Sequence, residues 1–278
     1  MPGVATNLRD RLSDAFRLYA RYAGVSLRAQ MQYKVSFFTL SFAQLLATGT
    51  EFLGVWALFA RFGNLRGWTL AEVALFYGLI NVAFAIADAI ARGFDTFADL
   101  VKSGEFDRLL LRPRSTGLQV CARELLLNRV GRLLQAAAVL GWAVYSLPGL
   151  WSLAKLTLIC GVIAGGVALY YGLFVLQATL SFWTVETLEI MNVATYGSTQ
   201  AGQYPLSMYR PWFRAFFTFV IPVASLNIVP AKLLLAHGTP TTAVVTAAWL
   251  SPLVGVLFLT VALQIWRLGV RHYTSTGS

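Results

Sequence analysis

Residues 92–132 read RGFDTFADLVKSGEFDRLLLRPRSTGLQVCARELLLNRVGR, the only long polar stretch after the first 34 residues, and its apolar flanks decide the fold. The stretch holds eight of the 22 Lys/Arg residues, five of the 12 Asp/Glu residues and one of the nine prolines. On both sides the chain stays apolar over lengths that match a hydrocarbon core of about 30 Å. A large basic loop held between two such runs belongs on the cytoplasmic side of a membrane, where a soluble partner can reach it.

Composition points the same way. The 278 residues are 57% hydrophobic and only 12% charged, about half the charged fraction of an ordinary globular domain. The apolar segments are long and do not alternate, which excludes a β-barrel and leaves an all-α polytopic membrane protein. The net charge of +10 sits beside the apolar runs, where anionic headgroups and topology account for it, and no nucleic-acid-binding motif is present. Cys121 lies in the loop and Cys160 in a span, so no disulfide is expected, and His237 and His272 stand alone. A metal centre or a histidine-based catalytic cluster is therefore not expected. No secretory signal is expected in residues 1–34 either, because they are polar and amphipathic.

Taken in order, residues 12–31 place Leu12, Phe16, Tyr19, Ala23, Leu27 and Met31 at three- and four-residue steps, with Arg17, Arg21 and Arg28 on another face. This is an N-terminal amphipathic helix suited to the membrane interface, making 1–34 one unit and 35–278 a single transmembrane domain. Spans are expected at 35–60, at 70–91 behind a Thr69–Glu72 capping box, at 133–147, at 156–178, within 181–203, and at 243–266. Gly161 and Gly165 give the fourth span a spacing that permits close helix contact. The block 204–238 carries Pro205, Pro211, Pro222 and Pro230, and its apolar part, 213–235, is either a span or a re-entrant pair of short helices at the outer face. With six spans and both termini cytoplasmic, 16 of the 22 Lys/Arg residues fall inside and six outside, the asymmetry that sets orientation.

In the loop, Phe94, Phe97, Leu100 and Val101 share a helix face, Ser103-Gly104 breaks the helix, and Glu105, Asp107, Arg108 and Arg112 bracket an apolar ridge that stops at Pro113. Such a helix either seats its apolar side in a partner's groove or caps the bundle; the residues alone leave both open. Glu51, Asp88, Glu186 and Glu189 lie in or at the edge of spans. They either line a path for a cationic or polar substrate or hydrogen-bond between helices. Phe37, Phe38, Phe42, Phe52, Trp56, Phe182, Trp183 and Tyr196 either border a hydrophobic cavity or pack. Trp183 joins the four acids as a substrate-path candidate.

Five segments, taken in sequence, resemble a family of ABC-2-type exporter permeases: RAQMQYKVSFF before the first span, GWTLAEVALFYGL opening the second, GEFDRLLLRP in the loop, SFWTVE near the fourth–fifth junction, and YPLSMYRPWFRAFFTFVIPVASLNIVPAKLLL before the last. The resemblance implies six spans, a coupling helix after the second, and re-entrant outer helices between the fifth and sixth. It implies that Phe94, Phe97, Leu100, Val101, Glu105, Asp107, Arg108 and Arg112 sense a pair of separate ATP-binding subunits. A second permease, identical or related, would complete the membrane part, in contact with lipid in a bacterial inner membrane. No GxxxxGK[ST] phosphate loop occurs in the chain, so ATP and Mg belong to another polypeptide and no cofactor or catalytic residue is expected here. The cargo of such an exporter would be an amphiphilic or hydrophobic small molecule, lipid or peptide. Two alternatives are a non-transporting assembly subunit and an ion-coupled transporter that uses the intramembrane carboxylates. A lipid-modifying enzyme is disfavoured by the scarcity of histidines and clustered acids.

Overall fold

Backbone amides in a lipid core must find partners within their own segment, and runs of Leu, Val, Ile, Ala and Phe satisfy them as helices. The computed structural model describes residues 32–112, 115–123, 129–184, 188–236 and 239–273, with Arg17, Arg21, Gly24, Val25 and Arg28. Those five positions are helical; the rest of the N-terminal amphipathic helix lies outside the described residues. Downstream come α1 (Lys34–Phe62), α2 (Leu70–Asp95), α3 (Phe97–Lys102), α4 (Glu105–Leu110), α5 (Thr116–Arg123), α6 (Val130–Ser146), α7 (Leu153–Leu180), α8 (Leu188–Gly202), α9 (Pro211–Phe219), α10 (Ile228–Leu234) and α11 (Thr242–His272). Among the described residues there is no β-strand, only an isolated bridge between Leu65 and Trp68.

α2 is the axis of the bundle. The Thr69 side chain accepts from the Glu72 amide while the Glu72 carboxylate accepts from the Thr69 amide, the expected capping box. Behind it nearly every residue from Val73 to Phe94 is buried. α6 and α7 flank α2, α11 packs along α7, and α1 packs on α6 at the edge. Glycines set the close crossings: a Cβ on Gly255 of α11 would stand 1.9 Å from the Gly165 carbonyl of α7, and one on Gly131 of α6 the same distance from the Ser41 carbonyl of α1. The first crossing uses the glycine pair spacing that begins at Gly161.

Four helical stretches are long and apolar enough to cross a membrane: Lys34–Phe62, Leu70–Lys102, Leu153–Leu180 and Thr242–His272. A fifth is available only if Pro211–Phe219 and Val223–Leu234 act as one span, and they meet at 82°. Pro222, which ends the first member of that pair, supplies no amide hydrogen to continue the helix. Among the described residues α6 has 17 residues and α8 has 15, or about 25 and 22 Å at 1.5 Å per residue, each shorter than a full hydrocarbon core. The described residues therefore hold an all-α polytopic bundle with four or five candidate spans rather than six long ones.

Candidate functional site

One end of the bundle is built from the C-terminal ends of α2, α7 and α11 together with α3, α4 and α5. Gly104, at φ +68°, turns the chain between α3 and α4, a left-handed conformation that glycine adopts without a Cβ clash. The turn folds α4 back so that Phe106 meets Phe97 with ring centroids 4.9 Å apart, both rings fully buried. Phe97 also lies 4.9 Å from Trp266 and 5.2 Å from Phe182, and Phe94 lies 5.2 Å from Trp266. Most of these pairs meet edge to face, an arrangement worth about 0.5–1.5 kcal/mol per pair beyond area burial.

The apolar face Phe94, Phe97, Leu100 and Val101, for which a partner's groove and the protein's own bundle were both open as cover, is turned inward and buried in this cluster. Phe94 meets Tyr171 of α7 and Trp266 of α11, Phe97 meets Trp266 and Phe182, and Leu100 and Val101 are buried in the same core. What faces outward is the rest of the module: Asp99, Lys102, Glu105, Arg108, Leu110, Leu111 and Arg112, with Leu111 86% exposed. Asp107 is half-buried and interacts with Tyr273, whose phenol is pushed up by burial and then by that carboxylate.

α5 ties this end together. Its backbone meets α2 so closely that a Cβ on Gly93 would stand 1.8 Å from the Val120 carbonyl. Cys121 Sγ donates to the Ile90 carbonyl at 3.5 Å, and burial pushes its thiol up. Gln119 Nε2 donates to the Leu109 carbonyl at 3.3 Å, and Arg123 pairs with Glu105 at 2.7 Å. The last pair is half exposed and adds little stability; burial and backbone contact hold the module.

A second constellation lies between α1, α2 and α6. Asp88, 1% exposed, pairs with Arg129 Nε at 2.9 Å, and Arg129 also donates to Gln44 of α1 at 3.2 Å. Arg132 is buried, donates to Asn81 Oδ1 at 2.9 Å and stacks 4.4 Å over the Phe84 ring. Asn81 lies 14 residues from the end of α2 at Asp95, about 21 Å along the helix axis. Nearer that end, Arg92 pairs with Asp95, which also accepts from Gln177 of α7 at 3.1 Å. The sequence reading singled out Asp88 but counted Arg129 and Arg132 among the loop cations. The structure corrects that: Arg129 is the N-cap residue of α6 and Arg132 lies inside the helix. A polar residue recurring on facing helices was the available signal, with Asn81 and Asp88 seven apart on one helix and Arg129 and Arg132 three apart on the next.

The other path candidates are not gathered. Glu51 is exposed on α1 and makes no hydrogen bond or ion pair among the described residues; Arg132 is the cation that interacts with it electrostatically. Trp183 is exposed beyond the end of α7, at the aromatic end of the bundle. Glu186 and the side chain of Glu189 lie outside the described residues. Phe38, Phe42 and Trp56 stand exposed along α1, and Phe182 belongs to the aromatic cluster, so these aromatics do not border one cavity.

At the opposite end a residue missed by sequence reading fixes the proline-rich block. Asn227, fully buried, donates to the Gly202 and Tyr204 carbonyls at 2.7 and 2.9 Å and accepts from the Leu206 amide at 3.4 Å. It clamps the segment before α10 to the end of α8, while Lys155 Nζ donates to the Leu234 carbonyl at 2.8 Å. Asn227→Ala leaves two carbonyls and an amide without partners, a cost of about 1–3 kcal/mol each for buried groups. The expected outcome is greater protease sensitivity of segment 204–235 in the purified protein; an unchanged cleavage pattern would show that the clamp is dispensable.

The all-helical bundle with long apolar helices defines a multi-pass membrane protein. A family model described as ABC-2 family transporter protein matches residues 45–277, and the chain belongs to that family. It is thus a membrane permease subunit of an ABC-type transporter, a class that works with an ATP-binding partner. No curated protein and no solved structure matches the chain.

Proposed function

We propose that this chain is half of the membrane part of an ABC-2-type exporter, paired with a second permease above two ATP-binding subunits. It would cross a bacterial inner membrane six times, with α6 and α8 as the short spans, α9 and α10 re-entrant at the outer face, and both termini cytoplasmic. Its cargo would be an amphiphilic or hydrophobic molecule moved outward. α3 and α4 are the coupling element, and the observation that carries the reading is their two-faced burial. One face is locked into the aromatic cluster on α7 and α11; the other presents Arg108, Leu111 and Arg112 to the outside. A push on the outer face by closing ATPases has a rigid route into the bundle. Buried Phe94, Phe97, Leu100 and Val101 then transmit the motion, and Glu105, Arg108 and Arg112 make the contact.

Glu51 supports the pairing with a second permease. An intramembrane carboxylate is costly against lipid, so the exposed α1 face that carries it faces the partner permease and the path between them. The test is affinity purification of the chain expressed with its neighbouring genes. Retention of a nucleotide-binding subunit by wild type, and its loss in Arg108→Glu/Leu111→Asp with the permease still folded, is the expected result. A chain that purifies without any nucleotide-binding partner would overturn the reading.

A further inference from the structure

A cleft of ≈360 Å³ opens between the start of α5 and the end of α11, next to the coupling element but outside its contact face. Ser115, Thr116 and Gly117 form one wall, and Leu263, Trp266 and Arg267 another. Three features of it concern anions. α5 has eight residues, and the first turn of a helix presents amide hydrogens without intrahelical acceptors at the positive end of its dipole. The Trp266 indole N–H has no acceptor among the described residues, although the side chain is only 3% exposed, and buried donors of this kind are nearly always paired. Its nitrogen faces the α5 wall: a Cβ on Gly117 would stand 3.4 Å from Trp266 Nε1, an ordinary contact distance. Arg267 is exposed and has no carboxylate partner among the described residues. No Asp or Glu lines the cleft.

These three donor features converge with the Ser115 and Thr116 hydroxyls and no competing carboxylate, which is the chemistry of a phosphate. The surroundings choose the source. On the face of α11 that carries Arg267, Val256 and Leu253 stand exposed toward the middle of the helix, at 50% and 58%, a surface that acyl chains cover.

We infer that the cleft between α5 and α11 is a binding site for an anionic phospholipid, its phosphate held by the first turn of α5, the Ser115 and Thr116 hydroxyls, the Trp266 indole N–H and Arg267. Basic pockets between helices near the membrane surface bind such headgroups. Bound there, the lipid bridges α5 to α11 and stiffens the end of the bundle that carries the coupling element. The inference rests on the membrane class of the protein and not on the coupling role, so either can fail without the other.

The test is native mass spectrometry of the full chain, detergent-purified and exchanged against phosphatidylglycerol or phosphatidylcholine. Wild type should retain phosphatidylglycerol in preference. Arg267→Gln, a change at an exposed side chain, should weaken that retention about fivefold. Gly117→Leu, which fills the cleft, should weaken it at least as much, and Lys102→Gln, a cation at the same end outside the cleft, should leave it unchanged. Equal retention of the two lipids, or indifference to both cleft variants, overturns the inference. So does displacement of the lipid by millimolar inorganic phosphate, which would make the cleft a site for a soluble anion.

Discussion

Arg129→Met should be among the most damaging single substitutions in the membrane part of the chain. Asp88 is 1% exposed and its only ion-pair partner among the described residues is Arg129 Nε, at 2.9 Å. Removing one member of a buried pair leaves a charge that the more distant Arg132 and Arg92 offset only in part, at a cost of up to about 3–5 kcal/mol. Asp88→Asn/Arg129→Met removes both charges together and should recover most of that loss, since a buried pair is often worth little against apolar replacements. Arg132→Met provides the contrast. Its guanidinium is hydrogen-bonded to an amide and stacked on a ring, with Glu51 and Asp88 acting on it only from farther off, so methionine relieves a desolvated charge and should cost less than Arg129→Met. The readout is the fraction of monodisperse protein that survives a heat step in detergent, by size-exclusion chromatography. A thermally normal Arg129→Met would mean that water reaches Asp88 and that the pair is not structural. A thermally normal but transport-dead Arg132→Met would assign Arg132 to the cargo path.

Much of the bundle was legible in the sequence because its signals are local. The capping box at Thr69, the break at Ser103-Gly104, the proline bend near Pro222 and the close helix contact at Gly165 each depend on a few adjacent residues, and each stands in the structure where the sequence put it. The facing of the loop helix was not legible. An amphipathic helix reports that one side is buried but not whether the cover is its own chain or another, and here Trp266 and Phe182, far along the chain, supply it. Arg129 and Arg132 were missed for a related reason: a cation next to an apolar run looks like a boundary marker. Only the juxtaposition of α6 with α2 shows that these side chains reach inward to Asp88 and Asn81. Asn227 carries no pattern at all; its role comes from three backbone groups over twenty residues away.

That inward facing changes what substitutions in the loop should do. Phe97→Asp places a carboxylate among Phe106, Phe182 and Trp266, with ring centroids now 4.9–5.2 Å from Phe97. Loss of the aromatic side chain alone costs about 3–5 kcal/mol, and the unpaired buried charge adds to it. The expected result is loss of folded protein from the membrane fraction, before coupling can be measured. Leu111→Asp, at a side chain 86% exposed, should change stability within about 0.5 kcal/mol and yet reduce transport-linked ATP hydrolysis of the assembled complex. The two variants separate the inner face of the element, which holds it to the bundle, from the outer face, which meets the partner. Should Phe97→Asp insert and fold normally, the aromatic cluster would not be what anchors the loop, and motion would have to reach the bundle through the contact of Gly93 with Val120 instead.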